Sequence, residues 1–223
     1  MLLQLAIDNP RHFAVVPAVI EFVDIVEVGT PVLKRFGLAG VATLRELAEG
    51  RPILADSKTV DGGADEARML FGAGATFMTV LEVASSATHA AVNRVAGECQ
   101  GFIMVDSICS AELPDRPSQY PDRFAYLALH TATDVRLAGG SAAASIQQAR
   151  SMRELGYHVA LAGGLNRHTL IEAVQAGPDI VVVGSAITTA DNPAEVARWM
   201  SSQLTDRGRG WPPSMSSPRS PRT

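Results

Sequence analysis

Short apolar runs rich in Val, Ile and Leu alternate along this chain with longer segments in which apolar residues return every three or four positions. The first kind reads as buried strand, the second as amphipathic helix. Leu2 to Ile7 is a strand closed by Asp8, and a helix follows near 11–22. Asp24 to Val28 is the second strand and carries Glu27; Leu38, Val41, Leu44 and Leu47 then mark a helix near 37–49. The third strand opens on Pro52-Ile53-Leu54-Ala55 and ends at Asp56–Lys58, before a helix from about Gly63 to Phe71. Thr76 to Leu81 and Gly101 to Val105 are strands four and five, flanking a helix from Ala87 to Ala96. Phe124 to Leu129 is strand six, ending in His130, with its helix from Ala142 to Leu155. His158 to Leu161 runs into Gly163-Gly164 and a helix near 167–176. Asp179 to Val183 runs into Gly184-Ser185, and a last helix spans Pro193 to Leu204.

These are eight strand–helix units. Strands separated by crossover helices are parallel, and eight such units in about 200 residues fit a closed (β/α)₈ (TIM) barrel better than an open doubly wound sheet. The fifth unit is irregular. Pro114, Pro117 and Pro121 forbid a long helix there, which leaves a loop and a short helical turn. The barrel is expected to occupy residues 1–204 as a single domain. Residues 205–223, dominated by Ser, Pro and Arg, are expected to be a disordered tail.

Composition narrows the class. A net charge of −4 gives no basic face for nucleic acid or an anionic membrane surface. Two cysteines, Cys99 and Cys109, make no disulfide framework and suit a reducing compartment. No N-terminal signal and no apolar run of about 18 residues is present, so a cytoplasmic protein is expected.

The chemistry concentrates in Ala55-Asp56-Ser57-Lys58-Thr59-Val60-Asp61-Gly62-Gly63. Residues two apart on a strand share a face, so Asp56 and Lys58 point the same way. Charges at the end of a buried strand are costly unless they pair, hold a metal or do chemistry; a purely structural Asp–Lys pair is the plainer alternative. Asp8, Glu27, Asp106 and His130 also stand at or near C-terminal strand ends, which a barrel gathers into one mouth. The opposite ends carry only Asp24 and Asp179. Carboxylates converging there suit Mg²⁺, with Glu27 and Asp56 on neighbouring strands as the pair of ligands. Such a cation could stabilise the charge that develops on an enediolate.

Flanked by Asp56 and Asp61, Lys58 is expected to stay protonated, as an electrostatic stabiliser or acid and not a Schiff-base nucleophile. His130 is the candidate for proton transfer. The other histidines, His12, His89, His158 and His168, are expected at the surface. Gly163-Gly164 and Gly184-Ser185, after the last two strands, could cradle a phosphate on backbone N–H groups, or simply make the turns.

Three segments carry a resemblance: Leu3-Gln4-Leu5-Ala6-Ile7-Asp8, Val26-Glu27-Val28-Gly29-Thr30-Pro31 and the Asp56-to-Gly63 stretch with its D-x-K-x-x-D signature. Together with Val105-Asp106, His130, Ala162-Gly163-Gly164 and Val183-Gly184, they make residues 2–204 similar to the orotidine 5'-monophosphate decarboxylase suprafamily. Within it the chain most resembles the 3-hexulose-6-phosphate synthases, with the 3-keto-L-gulonate-6-phosphate decarboxylases as near relatives. The resemblance implies an aldehyde lyase that joins formaldehyde to D-ribulose 5-phosphate through a Mg²⁺-stabilised enediolate. It implies Asp8, Glu27, Asp56 and Lys58 around substrate and metal, and His130 near the reacting carbon. It implies a homodimer in which Asp61 enters the partner's site.

Asp106, Ala162 and Thr133 stand where the decarboxylases carry Glu, Thr and Arg, which favours the synthases. Glu82, Arg136 in place of a Gln, and the proline-rich segment depart from the synthase pattern. Glu82 is expected to add a carboxylate to the mouth. A divergent aldolase acting on another sugar phosphate is the alternative enzyme. A non-catalytic sugar-phosphate-binding barrel would be marked by loss of charged site residues, and none is lost.

Overall fold

The strands close on themselves. In the computed structural model, which describes residues 1–204 apart from Ala111 and Arg116, β1 (Leu2–Ile7), β2 (Ile25–Val28), β3 (Ile53–Thr59), β4 (Phe77–Leu81), β5 (Phe102–Asp106), β6 (Phe124–His130), β7 (Val159–Ala162) and β8 (Ile180–Val183) form one barrel in sequence order. Every pair is parallel, and β8 returns to β1 with Gln4 opposite Val182. The tail expected at 205–223 lies outside the described residues. The TIM-barrel expectation holds.

Alternation along each strand separates two cores. Leu3, Leu5, Ile7, Val26, Val28, Ile53, Ala55, Met78 and Val80 face outward into the helix layer. Ala6, Ile25, Leu54, Phe77, Met104, Tyr126, Ala128, Ala160, Ile180 and Val182 face the barrel interior. Phe77 plugs it, its ring 5.7 Å from Phe102 and 6.2 Å from Tyr126. Burying one such ring contributes about 1.5–3 kcal/mol. Glu27, Asp56, Thr79, Asp106 and His130 share the inward parity, one inward position nearer the C-terminal rim, and Gln4 shares it one level below, opposite Ile25, so the same pleat that seats the plug aims the polar groups into the mouth. At the other end Asp24 accepts from the Leu3 amide and Asp179 from the Val159 amide, both at 2.8 Å. They cap strand starts, far from the mouth.

The helices differ from expectation at four places. The helix expected near 11–22 is broken into a 3₁₀ turn Pro10–His12, a short helix Val15–Val19 and a second turn Ile20–Phe22, because Pro10 and Pro17 withdraw amide donors. A helix Thr30–Phe36 precedes Leu38–Leu47. Pro31 sits in its first turn, where a missing N–H costs nothing, and Gly37 at φ 56 separates the two. A short helix Thr133–Leu137, ended by Gly139 at φ 94, precedes Ala143–Glu154, and Ser185–Thr188 forms one turn after β8. The fifth unit carries only the turn Pro117–Gln119, as the prolines dictate. Among the described residues no helix is long and apolar enough to cross a membrane, and Cys99 and Cys109 are unpaired and exposed.

Candidate active site

The site is built on an irregularity in β3. Its register with β4 slips between Ala55 and Thr59, and Lys58 takes φ 48. A side chain in this left-handed region costs of the order of 1–3 kcal/mol unless its surroundings impose it. Here β4 imposes it. The Lys58 amide donates to Thr79 Oγ1 at 2.8 Å, Ser57 Oγ donates to the Thr79 carbonyl at 2.8 Å, and Thr79 Oγ1 donates to Asp56 Oδ1 at 2.9 Å. Thr30, at the start of its helix, closes the other side, with Oγ1 2.9 Å from Asp56 Oδ2.

The bulge swings the lysine across the mouth. Lys58 Nζ lies 2.9 Å from both oxygens of Asp56 and 2.9 Å from Asp106 Oδ2. Burial by itself would depress the lysine's pKa, but Asp56 and Asp106 outweigh it and raise the value above 10.5. Lys58 is therefore an ammonium at neutral pH. Asp106, only 2 % exposed, also takes His130 Nδ1 at 3.0 Å on Oδ2 and the Ile108 amide at 2.9 Å on Oδ1. Burial pushes its carboxyl up; the His130 hydrogen bond and charge, with the Lys58 ammonium, more than offset this and hold it below 3.8. With Asp106 ionised, His130 Nδ1 carries the proton, and Nε2 is left as the basic nitrogen.

Glu27 stands on β2, the neighbour of β3, its backbone paired with Ala6 and Leu54. Gln4 Nε2 donates to its Oε2 at 2.6 Å. Burial, then the negative charge of Asp56, pushes the Glu27 carboxyl well above 4.5. Asp8, just past β1, is raised by burial and by Asp56, with Lys58 and His130 pulling the other way. It leans over Gly29, where a Cβ would lie 2.1 Å from Asp8 Oδ1. Two mutually repelling carboxylates with oxygen donors only, Glu27 and Asp56, fit a hard divalent cation. No group of three His, Cys, Asp or Glu side chains forms a metal cage among the described residues. A Mg²⁺ held by two carboxylates would draw the rest of its shell from water and substrate oxygens.

Of the two glycine turns, the one at Gly184 lies beside Asp8 and the one at Gly163–Gly164 against Thr131 and Arg136. Gly163 has φ 90, and a Cβ there would sit 2.1 Å from the Thr131 carbonyl; Gly164 has φ 79. Gly184 precedes the turn Ser185–Thr188, 3.6 Å from Asp8 Oδ2 measured from a Cβ added to it. Ser185 is exposed.

The mouth thus gathers Asp8, Glu27, Asp56, Lys58, Asp106 and His130, with the two glycine turns at its edge. Asp61 is not part of it: it is exposed, just before Gly62 at φ 63 opens the helix Gly63–Gly72. Glu82, expected to add a carboxylate to the mouth, accepts instead from Ser110 Oγ at 2.8 Å beneath the β5–β6 connection. That connection is pinned again by Tyr157, whose hydroxyl donates to the Pro114 carbonyl at 2.6 Å and whose pKa is pushed up to about 12 by burial and then by Glu82 and Asp115. Three histidines expected at the surface, His12, His89 and His158, are half-buried. His89 bonds the Leu81 carbonyl and packs on Phe124, and His158 packs edge-on against Tyr126. Reading the sequence missed Gln4, Thr30 and Thr79. A polar residue at inward parity in an apolar strand was the signal for the first and last.

Residues 1–200 match the family described as Orotidine 5'-phosphate decarboxylase / HUMPS. The chain is 36% identical over 202 residues to 3-hexulose-6-phosphate synthase of Staphylococcus epidermidis, spanning 89% of this chain and 96% of that protein. Among solved structures, 3-hexulose-6-phosphate synthase from Salmonella typhimurium superposes with a TM-score of 0.83 at 38% identity, covering 92% of this chain and 98% of that one. The 3-keto-L-gulonate-6-phosphate decarboxylase from Vibrio cholerae superposes with a TM-score of 0.78 at 29% identity, covering 91% of this chain and 96% of that one.

Proposed function

Since the chain belongs to the Orotidine 5'-phosphate decarboxylase / HUMPS family, we propose that it is an aldehyde lyase of the 3-hexulose-6-phosphate synthase type, condensing formaldehyde with D-ribulose 5-phosphate to D-arabino-3-hexulose 6-phosphate. The carrying observation is Asp106, buried and shared between Lys58 Nζ and His130 Nδ1. It leaves one bare imidazole nitrogen and one fixed ammonium side by side.

In this reading His130 Nε2 takes the proton from the carbon next to the ketone of ribulose 5-phosphate. The electron pair left behind becomes an enediolate and attacks the formaldehyde carbon, forming the new carbon–carbon bond. The formaldehyde oxygen then takes up a proton, and the imidazolium is a ready donor. Lys58, fixed before substrate arrives, places positive charge beside the developing enediolate without reorganising. Mg²⁺ bound by Glu27 and Asp56 would supply further positive charge at the ketose oxygens. Asp8, its carboxyl raised by burial and Asp56, would hydrogen-bond a sugar hydroxyl. Gly163, Gly164, Gly184 and Ser185 offer backbone N–H groups to the phosphate. Asp61, exposed on its own chain, suits a role in the partner's site of a homodimer.

The test is direct. Purified protein with ribulose 5-phosphate and formaldehyde should consume formaldehyde, and EDTA should abolish this unless Mg²⁺ is restored. Release of CO₂ from 3-keto-L-gulonate 6-phosphate without formaldehyde consumption would transfer the protein to the decarboxylase branch. Neither activity would leave a binding barrel.

A further inference from the structure

We propose that the Arg136 guanidinium, lying over the Gly163–Gly164 turn, is the cationic clamp for the substrate's phosphate. The assignment deepens the sugar-phosphate reading above and rests on it. Arg136 is carried by the short helix Thr133–Leu137, just beyond His130. Its side chain folds back, with an Nη2 to Thr133 Oγ1 distance of 3.2 Å. Its stem lies on the turn: a Cβ at Gly164 would meet Arg136 Cδ at 2.8 Å and Nε at 3.7 Å. The absent side chain of Gly164 is the space the arginine occupies. This explains why a glycine is needed here beyond its φ of 79.

Two observations mark the guanidinium as unfinished. Its Nε is buried and has no hydrogen-bond partner among the described residues, which carries a desolvation cost until an acceptor arrives. No carboxylate pairs with Arg136 among the described residues, in contrast to Arg68, Arg94 and Arg167. The charges of the mouth supply the need. Asp8, Glu27, Asp56 and Asp106 all line it, and Lys58 is committed to Asp56 and Asp106. A phosphate dianion approaching the β7 and β8 turns meets that negative field with only the partial charges of backbone amides to offset it. A guanidinium fork at the turn offsets it and matches phosphate geometry.

Calorimetric titration of the full chain with inorganic phosphate tests the clamp without any turnover. Arg136→Gln should weaken phosphate binding by about tenfold or more, the loss expected for one charge-assisted contact. Arg136→Lys should recover part of it, and Arg150→Gln, on the exposed side of the helix Ala143–Glu154, should change nothing. In the formaldehyde assay Arg136→Gln should act mainly on KM for ribulose 5-phosphate. Equal phosphate affinity in a folded Arg136→Gln, checked by circular dichroism, overturns the clamp, as does a wild-type protein that binds no phosphate. The two readings fail separately. A wild type that binds phosphate through Arg136 yet consumes no formaldehyde keeps the clamp and removes the reaction; turnover with a phosphate affinity indifferent to Arg136 does the reverse.

Discussion

The two halves of the barrel mouth solve different problems. From β2 to β6 the rim is made of side-chain charges locked to one another: Asp56, Lys58, Asp106 and His130, braced by Thr30 and Thr79. From β7 through β8 it is made of glycine turns, with Gly163 and Gly164 at positive φ and the Arg136 stem lying on Gly164. Fixed charges suit the end of a substrate where electrons move, because preorganised dipoles and ions need not rearrange during the reaction. Backbone amides at glycine turns suit the end that only has to be held. The contrast implies that damage to the first half should cost rate, and damage to the second should cost affinity or stability.

The strongest blow to this division falls on Lys58. Lys58→Ala should lower kcat by about a thousandfold or more while far-UV circular dichroism keeps the barrel's signature; a variant within tenfold of wild type would end the charged half's claim to chemistry. Next comes the boundary of that half. If Asp61 works in the partner's site, mixing and reassembling the inactive Lys58→Ala and Asp61→Ala proteins should restore activity, toward about a quarter of the wild-type sites when half the dimers are mixed and each has one intact site. Mixtures that stay dead would confine the site to one chain.

The glycine half can be probed against itself. Gly163→Ala places a Cβ 2.1 Å from a carbonyl at φ 90, whereas at Gly184 the nearest atom lies at 3.5 Å. Urea unfolding should show Gly163→Ala losing about 1–3 kcal/mol and Gly184→Ala less than about 1 kcal/mol. The smallest effect concerns acid. Asp106 has a folded pKa below its ordinary 3.8, so the stability it contributes is fully present above that value and is lost as pH falls through the lower folded one. Asp106→Asn should remove that part of the dependence, giving a flatter denaturation midpoint against pH below about 4. An unchanged slope would mean that the carboxylate is not held ionised by His130 and Lys58.

Much of this is legible in the amino-acid sequence. The strand ends at Asp8, Glu27, Asp56, Asp106 and His130 follow from reading where apolar runs stop, and the glycine pairs follow the last two runs. Helices without a long apolar stripe were harder. Thr30–Phe36 hides behind a Gly-Thr-Pro that reads as a turn, and Thr133–Leu137 leaves Val135 and Leu137 exposed. Glu82 illustrates the limit of position along the chain. It stands just past β4, as a mouth residue should, yet it turns to Ser110 because the proline-rich connection offers a hydroxyl there.

By itself the sequence determined the repeating unit and which strands end in charge, since pleat and helix periods are local and can be counted along the chain. Which charge meets which was decided only in three dimensions. Asp106 pairs with a lysine 48 residues away and a histidine 24 away, and Lys58 is turned toward it by a slip against Thr79 on β4. Closure of eight strands into a ring is a condition on the whole chain. Only once the ring is closed do residues remote in sequence share the low-dielectric interior in which their charges must be paired.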